Sequence, residues 1–475
     1  MNRTRAVILG AALAAGLVQA AVAQDQETAA SQDQETTETQ DQEGMLALLD
    51  VAPEVYWGIK RMPKFYSDRN MDRSTVDGSV LDRQYLFGSL GGLRDRAAES
   101  GLVLDGGLTQ VVLGAVSGDG DGATYAGSAD IWAVFDTGRA GLWPGGYFAA
   151  HLEGNWGSTV GGTGAVLPLN TDATMPGLPN SIALSELYLV QGLPGGFSTI
   201  IGKLDFGGIA DKTFFANDER SQFMYEGLVN NPILGAFLKY TSIGGALAKQ
   251  FTDDLNVQVL ALSNSTDALS VGFDDLSWDT MTYAVSAVWT PTFDDLPGYY
   301  NLVAGVTVKD LTNYEIDERY LLAELVGLVP MDEVSDNYGL LLTGSHYLTV
   351  DKGAKRHDGL PVGMGIFFRL GWTPEDRNAF YQFYSIGIGG IGGPSGRVND
   401  KWGVGWAGTR LSGDFRRDAD FLELDLGGWE HGVEAFYNVA FTPAVGLSFN
   451  VQYMNGPNVT VDDSVLLGMR LQLDF

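Results

Sequence analysis

The chain has 475 residues, no cysteine, 63 glycines, 11% aromatic residues and a formal charge of −30. Without cysteine it has no disulfide framework and no thiolate metal site, and so negative a chain repels phosphate, which excludes nucleic acid as a partner. A mean hydropathy of +0.00 fits a globular protein, or a membrane barrel whose strands hide their apolar faces by alternation.

Arg3 and Arg5 precede an uncharged run from Ala6 to Val18, and Ala21-Val22-Ala23 is a small-x-small site before Gln24. That order reads as a signal peptide over residues 1–23, because the run is too short to span a bilayer, which takes roughly 20 residues as a helix. Its removal takes two arginines and no acid, so the mature charge is −32. Residues 24–43 repeat Asp-Gln-Glu, with seven acids, no base and no aromatic residue. Such a stretch cannot offset its ordering entropy and reads as a disordered acidic tether. Residues 44–101 form an N-terminal periplasmic lead-in. One short helix is expected around Met45 to Leu49, and another from Gly91 to Ser100 with Gly101 to end it.

From residue 102 to 475 the signal is a strand of about ten residues followed by Gly, Pro, Asn or Asp. In the last one, Val465, Leu467, Met469, Leu471, Leu473 and Phe475 alternate with Leu466, Gly468, Arg470, Gln472 and Asp474. Period-two alternation also occurs in soluble sandwiches. Strand length, terminal aromatics and the final Phe475 point instead to an all-β, transmembrane antiparallel barrel. Sixteen such segments run from 102–116 to 463–475, an even number that puts both ends in the periplasm. With the first strand running outward, the inner turns include 192–196, 290–298 and 440–443. The outer connections 157–180, 205–234, 263–279, 309–336 and 412–429 are longer, the asymmetry such barrels show. About sixteen strands enclose an aqueous channel rather than a filled core.

The 205–234 connection carries Phe214, Phe215, Phe223 and Met224 beside Asp218, Glu219 and Arg220. It is too long for a hairpin. A loop with apolar and charged faces can fold into the lumen as a constriction, or pack on the outer rim. Alternation puts Glu153 with His151 and Asn155, Glu186 opposite Leu187, Lys203 opposite Ile200 and Leu204, and Arg369 opposite Phe368 and Leu370. A cation facing lipid at mid-membrane costs about 2–4 kcal/mol, which directs Lys203, Arg369 and Arg470 to the lumen. Glu434 and Gln452 complete the candidate pore-lining set with Asp218, Arg220 and Trp132. Trp132 shares a face with Asp130, where it either stacks on a solute or belongs to a lipid girdle.

The stretches LFGSLGGLRDRAAESG (86–101), FDTGRAGLWPGG (135–146), IGKLD (201–205), FANDE (215–219), FFRLGW (367–372), GRVNDKWGVG (396–405) and GVEAFY (432–437) continue into Gln452-Tyr453, Gly456-Pro457 and Gly468 to Leu471. In order and spacing they resemble the carbohydrate-selective outer-membrane porins of the OprB type, from about residue 84 to the end. The resemblance implies carbohydrate solutes and an outer-membrane location amid lipid and lipopolysaccharide. It also implies recognition of Phe475 by the barrel-assembly machinery, and a monomer or a trimer. The acidic tether lies outside the pattern.

Residues 387–392 fit GxGxxG, but no helix follows, so they are read as a strand end. The Asp pairs at 253–254, 274–275, 294–295 and 462–463 are read as turn residues. The four histidines show no HExxH spacing, no GxSxG is present, and no cofactor is implied. The leading expectation is passive, moderately selective diffusion of mono- or oligosaccharides. A general cation-preferring porin, motivated by the charge, is the alternative, and a barrel enzyme lacks a nucleophile–base set.

Overall fold

The computed structural model describes residues 78–177, 179–205, 211–264, 269–270, 276–314, 333–354, 356, 360–421 and 423–475. The signal region, the tether and the Met45–Leu49 helix lie outside them. Seventeen strands follow in chain order. They are β1 (Leu102–Ser117), β2 (Ala123–Asp136), β3 (Gly146–Gly157), β4 (Asn180–Leu193), β5 (Phe197–Asp205), β6 (Thr241–Thr252), β7 (Leu255–Ser263), β8 (Met281–Trp289), β9 (Thr292–Phe293), β10 (Leu296–Thr312), β11 (Glu333–Val350), β12 (Gly363–Trp372), β13 (Phe380–Ile391), β14 (Lys401–Leu411), β15 (Trp429–Thr442), β16 (Val445–Asn455) and β17 (Ser464–Asp474). The two-residue β9 pairs within the turn before β10. The other sixteen close a barrel, because β1 pairs antiparallel with both β2 and β17.

Closure is sealed at the chain end. Phe475 N–H donates to the Gly106 carbonyl at 2.9 Å, Leu86 N–H donates to the Asp474 carbonyl at 2.8 Å, and the Phe475 ring lies 5.8 Å from that of Phe87. Helix α1 (Leu93–Glu99) is shorter at both ends than the 91–100 reading. Gly101, at φ +90°, turns the chain into β1 where a Cβ would meet the Asp136 carbonyl at 2.6 Å.

The strand faces reverse the pattern of a soluble protein. Ile131, Ile201, Leu302, Val404 and Leu467 stand exposed, while Thr109, Ser286, Asn301, Thr343 and Asn450 are buried. Apolar side chains thus point outward to lipid and polar ones inward. Trp143, Phe148, Trp289 and Phe293 ring one end of the band, and Trp278, Tyr338, Trp372 and Tyr453 the other. The turns 194–196, 253–254 and 443–444 share an end with the compact β8–β10 connection, where Asp294 and Asp295 both take positive φ, at 51° and 62°. The strand ends that lead into the long connections 158–179, 206–240, 264–280, 313–332 and 412–428 lie at the opposite end.

Two differences from the sequence reading have physical causes. β10 and β11 run 17 and 18 residues, beyond the segments read at 299–308 and 337–349. Apolar alternation marks only the lipid-facing part, and hydrogen bonding continues past it. A helix, Gly413–Phe421, sits in the 412–428 loop. Its GDFRRDADF has no apolar stripe to announce it, and Ser412 Oγ caps it by accepting from Phe415 N–H at 3.2 Å.

In the 392–400 turn, Asp400 accepts from Arg397 Nε at 2.6 Å, the Tyr437 hydroxyl at 2.7 Å and Ala440 N–H at 3.0 Å. Burial pushes its carboxyl up, but these donors outweigh burial and hold it below the ordinary carboxylate range. A depressed folded pKa stabilises above the unfolded value and is lost as pH falls through the folded one. Asp400→Asn is therefore expected to cost about 1–3 kcal/mol at pH 7, read as a lower thermal transition. The gap to the unsubstituted protein should close on acidification below the carboxylate range.

Candidate functional site

Residues 211–240 turn into the barrel, and the inner wall is built to hold them. Arg369 on β12, fully buried, donates from Nε to Asp211 Oδ1 at 2.7 Å, from Nη1 to the Leu228 carbonyl at 3.0 Å, and from Nη2 to the Ala216 and Val229 carbonyls at 2.6 and 2.7 Å. Arg470 on β17 donates to the Glu219 carbonyl at 2.7 Å and the Gln222 carbonyl at 2.5 Å. Glu434 on β15 accepts from Met224 N–H at 2.9 Å and Tyr225 N–H at 2.8 Å. Wall charges thus satisfy the loop's backbone, which has no ladder partner here.

Apolar loop residues fill the space between. Phe223 packs edge-on against Phe436 at 4.7 Å, and Phe215 against Tyr347 at 4.8 Å. Inward glycines make room, since a Cβ on Gly432 would lie 2.3 Å from the Tyr225 ring. A second loop, 158–179, folds in as well. Val166 and Leu167 N–H donate to Glu430 at 2.6 and 3.2 Å, Gln452 donates to the Leu169 carbonyl at 2.9 Å, and Thr171 N–H reaches the Met224 carbonyl at 2.9 Å.

The wall of β2, β3 and β4 carries different chemistry. Trp132 stacks on His151 at 3.7 Å with the planes 13° apart. His151 Nε2 lies 3.0 Å from Asp130 Oδ1 and 3.8 Å from Glu153 Oε1, and Nδ1 lies 3.6 Å from Glu186 Oε2. Tyr240 donates to Glu153 at 2.9 Å, and Ser185 donates to it too. From the loop, Arg220 reaches across to Asp130 at 3.6 Å, Thr109 Oγ1 at 3.0 Å and Asp474 at 3.1 Å. Asp218 pairs with Lys401 at 2.9 Å. Glu153, Asp218 and Asp474 keep 13%, 35% and 26% side-chain exposure along this seam.

The structure therefore divides the candidate set. Arg369, Glu434, Gln452 and Arg470 face inward but are fully covered, each holding an in-folded loop. Trp132, Glu153, Glu186 and Arg220 gather at the β2–β4 wall, and Asp218 of the loop pairs with Lys401 on β14. Trp132 points into the barrel rather than to a lipid girdle. Lys203 is a correction. It lies opposite Leu187 and Ile243 in register, two residues from exposed Ile201, so it shares the outer face, while Ile200 and Leu204 are buried inside. Its ammonium donates to the Ser270 carbonyl at 2.6 Å. It escapes the mid-membrane penalty because it sits near the long-loop end and its stem reaches a loop partner. Sequence reading passed over Asp130, Asp211 and Glu430 as sites, because only register and loop path bring them to their partners. His151 was placed on the lumen side, but its scattered position gave no ligand spacing.

A closed sixteen-stranded barrel with an apolar outer band, aromatic rings at both ends and loops folded into a polar interior defines an outer-membrane channel of the porin class. Residues 120–475 match the carbohydrate-selective porin, OprB family, and the chain belongs to it. The fold is similar to the high-pH structure of Pseudomonas putida OprB, with TM-score 0.73 and 17% identity over 83% of this chain and 99% of that one. The low-pH structure of the same protein gives TM-score 0.54 and 16% identity over the same shares. No curated protein sequence matches the chain. Family and fold place it in the outer membrane, with carbohydrate as the porin's solute.

Arg369→Met should release the loop. Removing one partner of a buried ion pair costs about 3–5 kcal/mol. The expected outcome is a barrel that still folds, with a lower thermal transition and larger, noisier single-channel conductance in planar bilayers.

Proposed function

We propose that the chain is a passive channel for mono- or oligosaccharides, with its narrowest part at the seam between the 211–240 loop and the β2–β4 wall. The observation that carries this reading is the partly exposed row Glu153, Asp218 and Asp474, interleaved with Arg220 and Lys401, beside the Trp132–His151 stack. Paired charges offer acceptors and donors to sugar hydroxyls, and their mutual pairing keeps each contact weak, so that solute leaves as readily as it enters. Three carboxylates gathered on one wall, Asp130, Glu153 and Glu186, favour a second reading, a cation-preferring general porin.

Planar-bilayer current separates the two. Neutral sugars of increasing size should reduce open-channel current at millimolar concentration, and Glu153→Gln should weaken that block about five- to tenfold, the worth of one ordinary hydrogen bond of about 1 kcal/mol. Strong cation selectivity in a salt gradient with no block by any sugar would favour the general porin instead.

A further inference from the structure

The β2–β3 wall sets three ligand-type side chains around one point. The nearest ligand atoms of Asp130, His151 and Glu153 all lie within 4.8 Å of one another. His151 Nε2 is 3.0 Å from Asp130 Oδ1 and 3.8 Å from Glu153 Oε1. A tetrahedral zinc with ligands at about 2.0–2.1 Å needs ligand atoms about 3.3 Å apart, and these two separations bracket that value.

The surroundings fit as well. His151 turns its other nitrogen, Nδ1, toward Glu186 Oε2 at 3.6 Å, the arrangement in which a carboxylate orients a metal-binding imidazole and raises its basicity. Trp132, stacked at 3.7 Å, fixes the ring plane. Tyr240 and Ser185 donate to Glu153 and hold it in place. Asp130, Glu153 and Glu186 bring three carboxylates around His151 and Arg220, and Arg220 is shared with Asp474. The side chains of Asp130, His151 and Glu153 are only 6%, 7% and 13% exposed, so the cluster is largely shielded from bulk water. One imidazole with two carboxylates suits zinc better than magnesium or calcium, which take oxygen ligands.

We infer that Asp130, His151 and Glu153 bind one divalent transition-metal ion of the zinc type, with Glu186 as a positioning residue, and that the bound ion reduces passage through the seam. Binding stands on this cluster alone. Only its effect on passage rests on the proposed location of the narrowest part.

The test uses full-length protein purified in detergent and treated with chelator. Titration with zinc chloride at pH 7.5, followed by calorimetry, should show one saturable site that magnesium does not fill. His151→Asn should abolish it, and Glu186→Gln should weaken it about 10–100-fold. Retained folding of both variants is checked by heat-dependent mobility on gels. Absence of saturable zinc binding in the unsubstituted protein, or equal binding in His151→Asn, overturns the site. In planar bilayers zinc should lower the conductance of the unsubstituted protein and not of His151→Asn. Binding without a conductance change overturns the effect on passage. Sugar block measured in chelator reports on the carbohydrate reading separately.

Discussion

Backbone hydrogen bonding in lipid is the constraint on which the rest of this structure depends. A bilayer core offers no water to unpaired N–H and C=O groups, so a sheet there must close on itself. Here closure runs through the β1–β17 register, from Gly107 opposite Asp474 to Ser117 opposite Val465. The final residue adds its own bond to the Gly106 carbonyl. Once closed, sixteen strands enclose a space wider than their own side chains fill. Everything inside the barrel answers that excess.

The answer is to fill part of the space with chain and to give that chain partners. The loop backbone inside the barrel lacks a ladder, so wall side chains take its place. Arg369 collects three loop carbonyls and Asp211, and Glu434 collects two loop N–H groups. Each charge is buried and each is met, which makes the loop seat strong and also unforgiving. The inward glycines belong to the same solution, since the Tyr225 and Phe237 rings occupy the volume that Cβ atoms on Gly432 and Gly339 would claim.

This partition gives the inner charges two distinct jobs. On the β11–β17 side Arg369, Glu434 and Arg470 hold structure and are covered, while Lys401 and Asp474 pair with the loop's charged residues and stay partly exposed. On the β2–β4 side they meet Arg220 of the loop, and Glu153 alone of Asp130, His151, Glu153 and Glu186 keeps partial exposure. Arg220 couples the sides, because it belongs to the loop yet pairs with Asp130 on β2 and Asp474 on β17. A change in the loop seat therefore reaches the seam through one guanidinium.

Alternation and turn residues determined the strands, because a strand between two environments switches polarity every residue, and strand length with terminal aromatics pointed to a membrane barrel rather than a sandwich. The strand of Val465 to Phe475 shows this without any tertiary information. The same rule placed Arg369, Glu434 and Arg470 inward, and the long 205–234 connection with its mixed faces left two paths, into the lumen or onto the rim. Tertiary structure decided the rest. Alternation says which face a residue takes only when the parity is read correctly. In the short 197–205 strand the polar and apolar positions are too evenly mixed to fix it, so Lys203 was assigned to the wrong face until its register with Leu187 and Ile243 settled it. Nor can a sequence say whether an inward charge touches solute or loop, since that depends on where a remote segment lies. Asp130 and His151 meet because β2 and β3 pair in a particular register, and Arg220 reaches Asp130 from ninety positions away only after the barrel has closed.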